Sequence, residues 1–145
     1  MYTDEYFMLE AIKEAKIAFE KDEVPIGAVI VVGNRIIARA HNLTETLTDV
    51  TAHAEMQAIT AAASFLGGKY LKDCTLYVTL EPCSMCAGAL YWSQITRIIY
   101  GARDAKRGFS LIPSQLLHPS TVLTNGILET ECAALLTDFF KKKRK

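Results

Sequence analysis

No stretch of this 145-residue chain is apolar over the ~18 residues that a bilayer span requires. The first residues, Met1-Tyr-Thr-Asp-Glu-Tyr6, are polar and acidic and lack the basic and apolar regions of a secretory signal. There is no internal repeat and no long linker. Overall charge is absent as well, with sixteen Lys and Arg against sixteen Asp and Glu. These absences exclude a membrane-spanning helix and a repeat array, and they lead to the expectation of a cytoplasmic protein. Cysteine is scarce: Cys74, Cys83, Cys86 and Cys132 are all there is. Without an export signal a disulfide framework is not expected, so paired cysteines read as metal ligands or redox groups.

What is present fits one domain over residues 1–145: half the residues are hydrophobic and 22% charged, enough to bury a core without disulfide staples. The charge is unevenly spread. Residues 141–145, Lys-Lys-Lys-Arg-Lys, leave residues 1–140 with eleven basic against sixteen acidic groups, a net of −5. A basic tail on an acidic body points to a polyanionic partner. The plainer alternative is a solvated helix end whose lysines complement the macrodipole.

Periodicity predicts a helix over 4–20, with Met8, Ile12, Ala15 and Phe19 on one face and Thr3 or Asp4 as its cap. Residues 26–32 and 35–40 flank Gly33-Asn34 and predict a β-hairpin. A polar loop over 42–51 precedes an Ala-rich helix over 52–65, which stops at Gly67-Gly68. Residues 74–80 predict a strand. Pro82 is expected in the first turn of a helix over about 83–92. A strand over 96–100, a long loop to about Pro119, a short strand over 121–124 and a helix over about 128–142 complete the chain. A hairpin followed by alternating strands and helices predicts an α/β fold, a three-layer α/β/α sandwich around a mixed central sheet.

Two fragments carry chemistry: Thr51-Ala52-His53-Ala54-Glu55 and Glu81-Pro82-Cys83-Ser84-Met85-Cys86. Each falls at the start of a predicted helix. Cysteines three apart on a first turn point the same way, and the positive helix end favours their thiolates. Two thiolates and one imidazole suit zinc best. Three protein ligands are the mark of a catalytic site, which leaves a fourth position for water. Cys74 sits at the wrong end of its strand to be the fourth, and Cys132 reads as a small buried hydrophobe. Glu55, two residues past His53, is placed to take a proton from attacking water and return it to a leaving amine. A thioredoxin-like dithiol would leave His53 and Glu55 idle, and a closed structural zinc lacks its fourth ligand. His41 and His118 read as surface or packing histidines.

The combination of H-x-E with P-C-x-x-C is the signature of zinc deaminases acting on nucleobases. The chain resembles the cytidine deaminase-like superfamily and, within it, the bacterial tRNA-specific adenosine deaminases. The resemblance runs through Val24-Pro-Ile-Gly-Ala-Val29, His41-Asn42, Thr51-Ala-His-Ala-Glu-Met56, Leu76-Tyr-Val-Thr-Leu-Glu-Pro-Cys-Ser-Met-Cys-Ala-Gly-Ala-Leu90, Tyr100-Gly-Ala-Arg-Asp-Ala-Lys106 and Glu131-Cys-Ala-Ala-Leu-Leu-Thr-Asp-Phe-Phe140. It implies a homodimer with one Zn2+ per subunit that converts the wobble adenosine of a tRNA anticodon loop to inosine. It further implies that Asn42 and the backbone N–H of Ala54 bind the base. Asp104, Lys106 and Arg103 would meet ribose and phosphate, and Phe139, Phe140 and the basic tail would hold the loop.

Each role has a duller alternative: a turn for Asn42, plain loop charges for Asp104 and Lys106. Phe139 and Phe140, being adjacent, are expected to split between core and surface. After Lys106 the sequence departs from the family: Arg107-Gly-Phe-Ser-Leu-Ile-Pro113 replaces a longer Gly/Ser stretch. Two other functions stay open: a deaminase of a free base or nucleoside (guanine, cytosine or cytidine), and a structural-zinc module that binds RNA through its tail.

Overall fold

The structure is a computed structural model that describes residues 1–144; Lys145, the last residue of the basic tail, lies outside the described residues. Its elements are α1 (Asp4–Glu20), β1 (Gly27–Val32), β2 (Arg35–His41), α2 (Ala54–Leu66), β3 (Cys74–Leu80), α3 (Ser84–Ser93), β4 (Arg97–Ala102), a 3-10 turn (Phe109–Leu111), β5 (Val122–Asn125) and α4 (Glu129–Lys143). The sheet order is β2-β1-β3-β4-β5. β1 runs antiparallel to β2 and β3, whereas β3, β4 and β5 are parallel. The sheet is therefore mixed, as expected.

Alternation along the central strands sorts the side chains into two layers. Ala28, Ile30, Leu76, Val78 and Ile98 face α2 and α3, where Ala54, Ala58, Ala62, Ala87 and Leu90 meet them. Val29, Val31, Tyr77 and Ile99 face the other way, against Phe7, Met8, Ala11 and Ile12 of α1 and Cys132 of α4. Each fully buried Leu or Ile in these layers contributes about 1.5–3 kcal/mol. Among the described residues, no helix is long and apolar enough to cross a membrane.

Local signals explain most boundaries. Thr3 caps α1, its hydroxyl accepting the Tyr6 N–H. The Gly33-Asn34 turn has positive φ at both residues (55° and 63°), the primed geometry that matches strand twist. Two expectations need correction. Pro82 is not in the first turn of α3: Cys83, with extended backbone, is the cap, and Pro82 stands one residue ahead of it in the approach from β3. β4 does not stop at Tyr100 but runs to Ala102, because Ala102 still pairs with Leu80 of the parallel neighbour.

This topology gathers one edge. β3 and β4 end there, β2 ends there at His41, and antiparallel β1 begins there at Gly27, opposite His41. The carboxyl edge of parallel strands is where α/β sheets leave a crevice.

Candidate metal centre and cavity

His53 is the cap residue of α2, and Cys83 is the cap residue of α3, with Cys86 one turn on. Both caps have extended backbone and neither makes a side-chain cap hydrogen bond. Cap and third helical positions face each other across a first turn, which aligns the two sulfurs. The packing of α2 beside α3 then brings the imidazole to the thiols: His53 Nδ1 lies 3.7 Å from Cys83 Sγ and 3.5 Å from Cys86 Sγ. A tetrahedral zinc, with Zn–S near 2.3 Å and Zn–N near 2.0–2.1 Å, needs nitrogen and sulfur about 3.6 Å apart. The donors already stand at that spacing. Among the described residues these three form the one His/Cys/Asp/Glu cluster able to hold a metal, all ligand atoms within 4.8 Å. Cys74, at the opposite end of β3, and Cys132, on the buried face of α4, are buried elsewhere.

Protonation in the site follows its geometry. The hydrogen bond from the Cys86 thiol pulls the Cys83 thiol down to about 3 against its burial, with His53 helping. Cys86 is pushed far up by the same hydrogen bond and by burial, and the bond to Cys83 raises His53. Two thiols and an imidazole thus share protons that a bound cation would displace, since ligands bind metal deprotonated. Glu55, in the second position of α2, is 3% exposed. Burial pushes its carboxyl up to about 7, against its own backbone N–H and the His53 charge. A carboxyl in that range can both give and take a proton near neutrality.

The cluster opens into a cavity of about 880 Å³ whose wall includes His53, Glu55, Cys83, Asn42, Val24 and Ile26. Arg103, Asp104, Lys106 and Phe140 also line it, together with Lys143 and Arg144 of the basic tail. Residues from six separate stretches of sequence therefore meet at one opening. Asn42 is 5% exposed and its backbone N–H is held by the Ile26 carbonyl. Ala54 is buried and its side chain is not part of the wall; as the first residue of α2, its N–H is a first-turn donor that helix geometry leaves unpaired. Arg103 and Lys106 are exposed. Asp104 has a second occupation, accepting the N–H groups of Lys106 and Arg107 at 3.0 Å each. Phe139 is buried against Phe19 and Phe140 is 45% exposed, the split expected of neighbours on a helix.

His41 is a packing residue, its Nδ1 2.9 Å from Glu14 and its Nε2 3.1 Å from Lys21. His118 bonds Ser120. Two buried carboxylates have no counterpart among the residues that the sequence singles out. Glu23 accepts the N–H groups of Glu45 and Thr46 and the Thr46 hydroxyl, fixing the loop that follows Asn42. Glu81 accepts the N–H groups of Asp104 and Ser110. The only available signal is the placement of Glu81 before Pro82-Cys83; for Glu23 there is none.

Known proteins share this chain's sequence and fold. The family model of MafB19-like deaminases matches residues 1–144. The chain is 49% identical to the tRNA-specific adenosine deaminase of Bacillus subtilis (strain 168), over 100% of this chain and 93% of that protein. It is also 49% identical to the protein of the same description from Aquifex aeolicus (strain VF5), over 97% and 95%. A structure from work on A-to-I editing by tRNA:A34 deaminases superposes with a TM-score of 0.85 at 45% identity, covering 90% of this chain and 99% of that one. A guanine deaminase from Bacillus subtilis superposes with a TM-score of 0.69 at 38% identity, covering 77% and 74%.

Proposed function

The chain belongs to the MafB19-like deaminases and, among them, to the tRNA-specific adenosine deaminases, and from that premise we propose that its single domain hydrolyses the wobble adenosine of a tRNA anticodon loop to inosine. The observation that carries this reading is the set of three soft donors at tetrahedral spacing beside a buried carboxyl, at the floor of a cavity rimmed by basic residues.

In this reading His53 Nδ1, Cys83 Sγ and Cys86 Sγ hold one zinc ion. When bound, the metal supplies Lewis acidity that makes water nucleophilic at neutral pH. Glu55 receives the proton of the attacking water and delivers it to N1 of adenine as the new C6–O bond forms. The same carboxylate then takes the remaining proton from the new C6 hydroxyl and passes it to the departing amine as the C6–N bond breaks and the C6 carbonyl forms, so that water and adenosine become inosine and ammonia. Asn42 and the Ala54 N–H orient the base. Arg103, Asp104 and Lys106 meet ribose and phosphate, and Phe140 offers a face for stacking. A single-stranded loop suits this cavity because its bases splay out at small unstacking cost. A homodimer goes with the family, and Trp92, left 77% exposed on α3, supports a partner surface there.

A free base is the second reading, favoured by the likeness to a guanine deaminase. The deciding experiment measures inosine in an anticodon stem-loop alongside ammonia release from guanine, cytosine, cytidine and adenosine. Turnover of the stem-loop alone is the expected result; turnover of a free base alone would replace the tRNA reading. Glu55→Ala should keep its zinc and lose on the order of 10³-fold in rate. A variant that still turns over near the normal rate would remove Glu55 from the chemistry.

A further inference from the structure

Glu81 makes no direct contribution to the chemistry derived above, yet its side chain is buried, 2% exposed. Among the described residues it forms no ion pair. A buried charge is tolerated without a counter-ion only where hydrogen bonds take over that task. Here both oxygens are used. The Asp104 N–H donates to Oε1 at 3.1 Å and the Ser110 N–H to Oε2 at 2.9 Å. One carboxylate thus grips both ends of the 104–110 segment.

The backbone around it completes the attachment. The Phe109 N–H donates to the Pro82 carbonyl at 2.9 Å, and Gly108 forms an isolated antiparallel bridge with Cys83. A Cβ at Gly108 would lie 2.5 Å from each Glu81 oxygen, so a larger residue there forces the carboxylate or the segment to shift. Inside the segment, Asp104 Oδ1 accepts the Lys106 and Arg107 N–H groups. Hydrogen bonds therefore run without a break from the end of β3 to Lys106.

We propose that Glu81 is a positioning residue for substrate binding: its carboxylate fastens the 104–110 segment across the end of β3 and holds Arg103, Asp104 and Lys106 at the cavity rim. The proposal rests on the reading that these rim residues meet the RNA. Charge-assisted bonds to N–H groups are the strong kind. A glutamine at 81 keeps the shape but turns one acceptor into a donor that faces an N–H.

The test uses the zinc-loaded protein and Glu81→Gln. Zinc per chain should equal that of the wild type. Amide exchange at Asp104 and Ser110 should speed up about tenfold or more, the scale of one missing charged hydrogen bond. KM for the anticodon stem-loop should rise by a similar factor while kcat stays within about threefold. Gly108→Ala should raise KM in the same way by pushing the segment off the carboxylate. In a Glu81→Ala background it should add little, because the new methyl enters vacated space. Unchanged exchange in Glu81→Gln would overturn the proposal. So would a fall in kcat with zinc loss at constant KM, or full additivity of the two substitutions. Should the wild type leave the stem-loop untouched, the tRNA reading falls, and amide exchange alone decides whether Glu81 holds the segment.

Discussion

His53 and Cys83 occupy positions where a helix ordinarily carries Ser, Thr, Asp or Asn, whose oxygen accepts a first-turn N–H. Neither makes that bond. Each helix thereby forgoes about 1 kcal/mol of local stability. The loss makes sense only if the donors serve another purpose, and it leads to a prediction about metal-free protein. Cys83→Ser supplies a capping hydroxyl and a poor zinc ligand. The variant should bind no zinc, while its metal-free form melts at or above the temperature of the metal-free wild type; a clearly lower melting temperature would show that Cys83 is mainly structural. At this scale the sequence is most readable for residues whose type is itself informative. A histidine, two cysteines and a glutamate at fixed spacing announce a metal. Glu23 and Glu81 do not announce themselves, because their partners are backbone N–H groups of loops 22 and more residues away.

At the scale of elements, α4 shows a helix end with two occupations. Lys142 lies over the Phe19 ring and Lys143 over the Phe139 ring, each 5.7 Å from the centroid, and Lys143 pairs with Asp22. Lys143 and Arg144 also line the cavity. Removing residues 141–145 should weaken stem-loop binding most at low salt. The slope of log K against log salt should become shallower by about 0.7 for each phosphate that the shortened chain no longer neutralises. Equal slopes before and after truncation would leave the tail as a solvated helix end.

A second prediction concerns α1 and β2, which are joined through Glu10. Lys13 and Arg39 both reach its carboxylate at 2.7 Å, and their hydrogen bonds hold it below its ordinary value of 4.5 despite burial. A depressed carboxyl stabilises the fold above its unfolded pKa and loses that contribution as pH falls through the folded one. Arg39→Met should therefore be less stable than wild type at pH 7, by no more than about 1 kcal/mol for so exposed an arginine. The gap should close as pH falls below 4.5. Denaturant melts of both proteins at pH 7 and pH 3 check this; a gap that persists at pH 3 would assign the loss to packing.

At the scale of the whole molecule, the metal cluster lies at one edge of the sheet, and both apolar layers are built without it. Chelation should therefore abolish deamination while the cooperative unfolding transition survives, shifted down by the linkage of metal binding to folding. Collapse of the transition on chelation would instead favour the structural-zinc module, for which metal binding is folding.

The division between chain and fold follows the range of the interactions. The helix over 4–20, the hairpin at Gly33-Asn34, the strand over 74–80 and the donors of the two motifs were determined by the sequence alone, because periodicity, turn chemistry and side-chain type are local. The order β2-β1-β3-β4-β5 was not, since register and crossover depend on residues far apart in the chain. Only the tertiary structure decided that His53 Nδ1 would stand 3.5 Å from a sulfur 33 residues away, and that Asn42, Glu55, Arg103 and Phe140 would share one opening. It also decided that a glutamate ahead of the metal motif would hold the opposite rim, because a hydrogen bond between distant segments exists only once packing has brought them together.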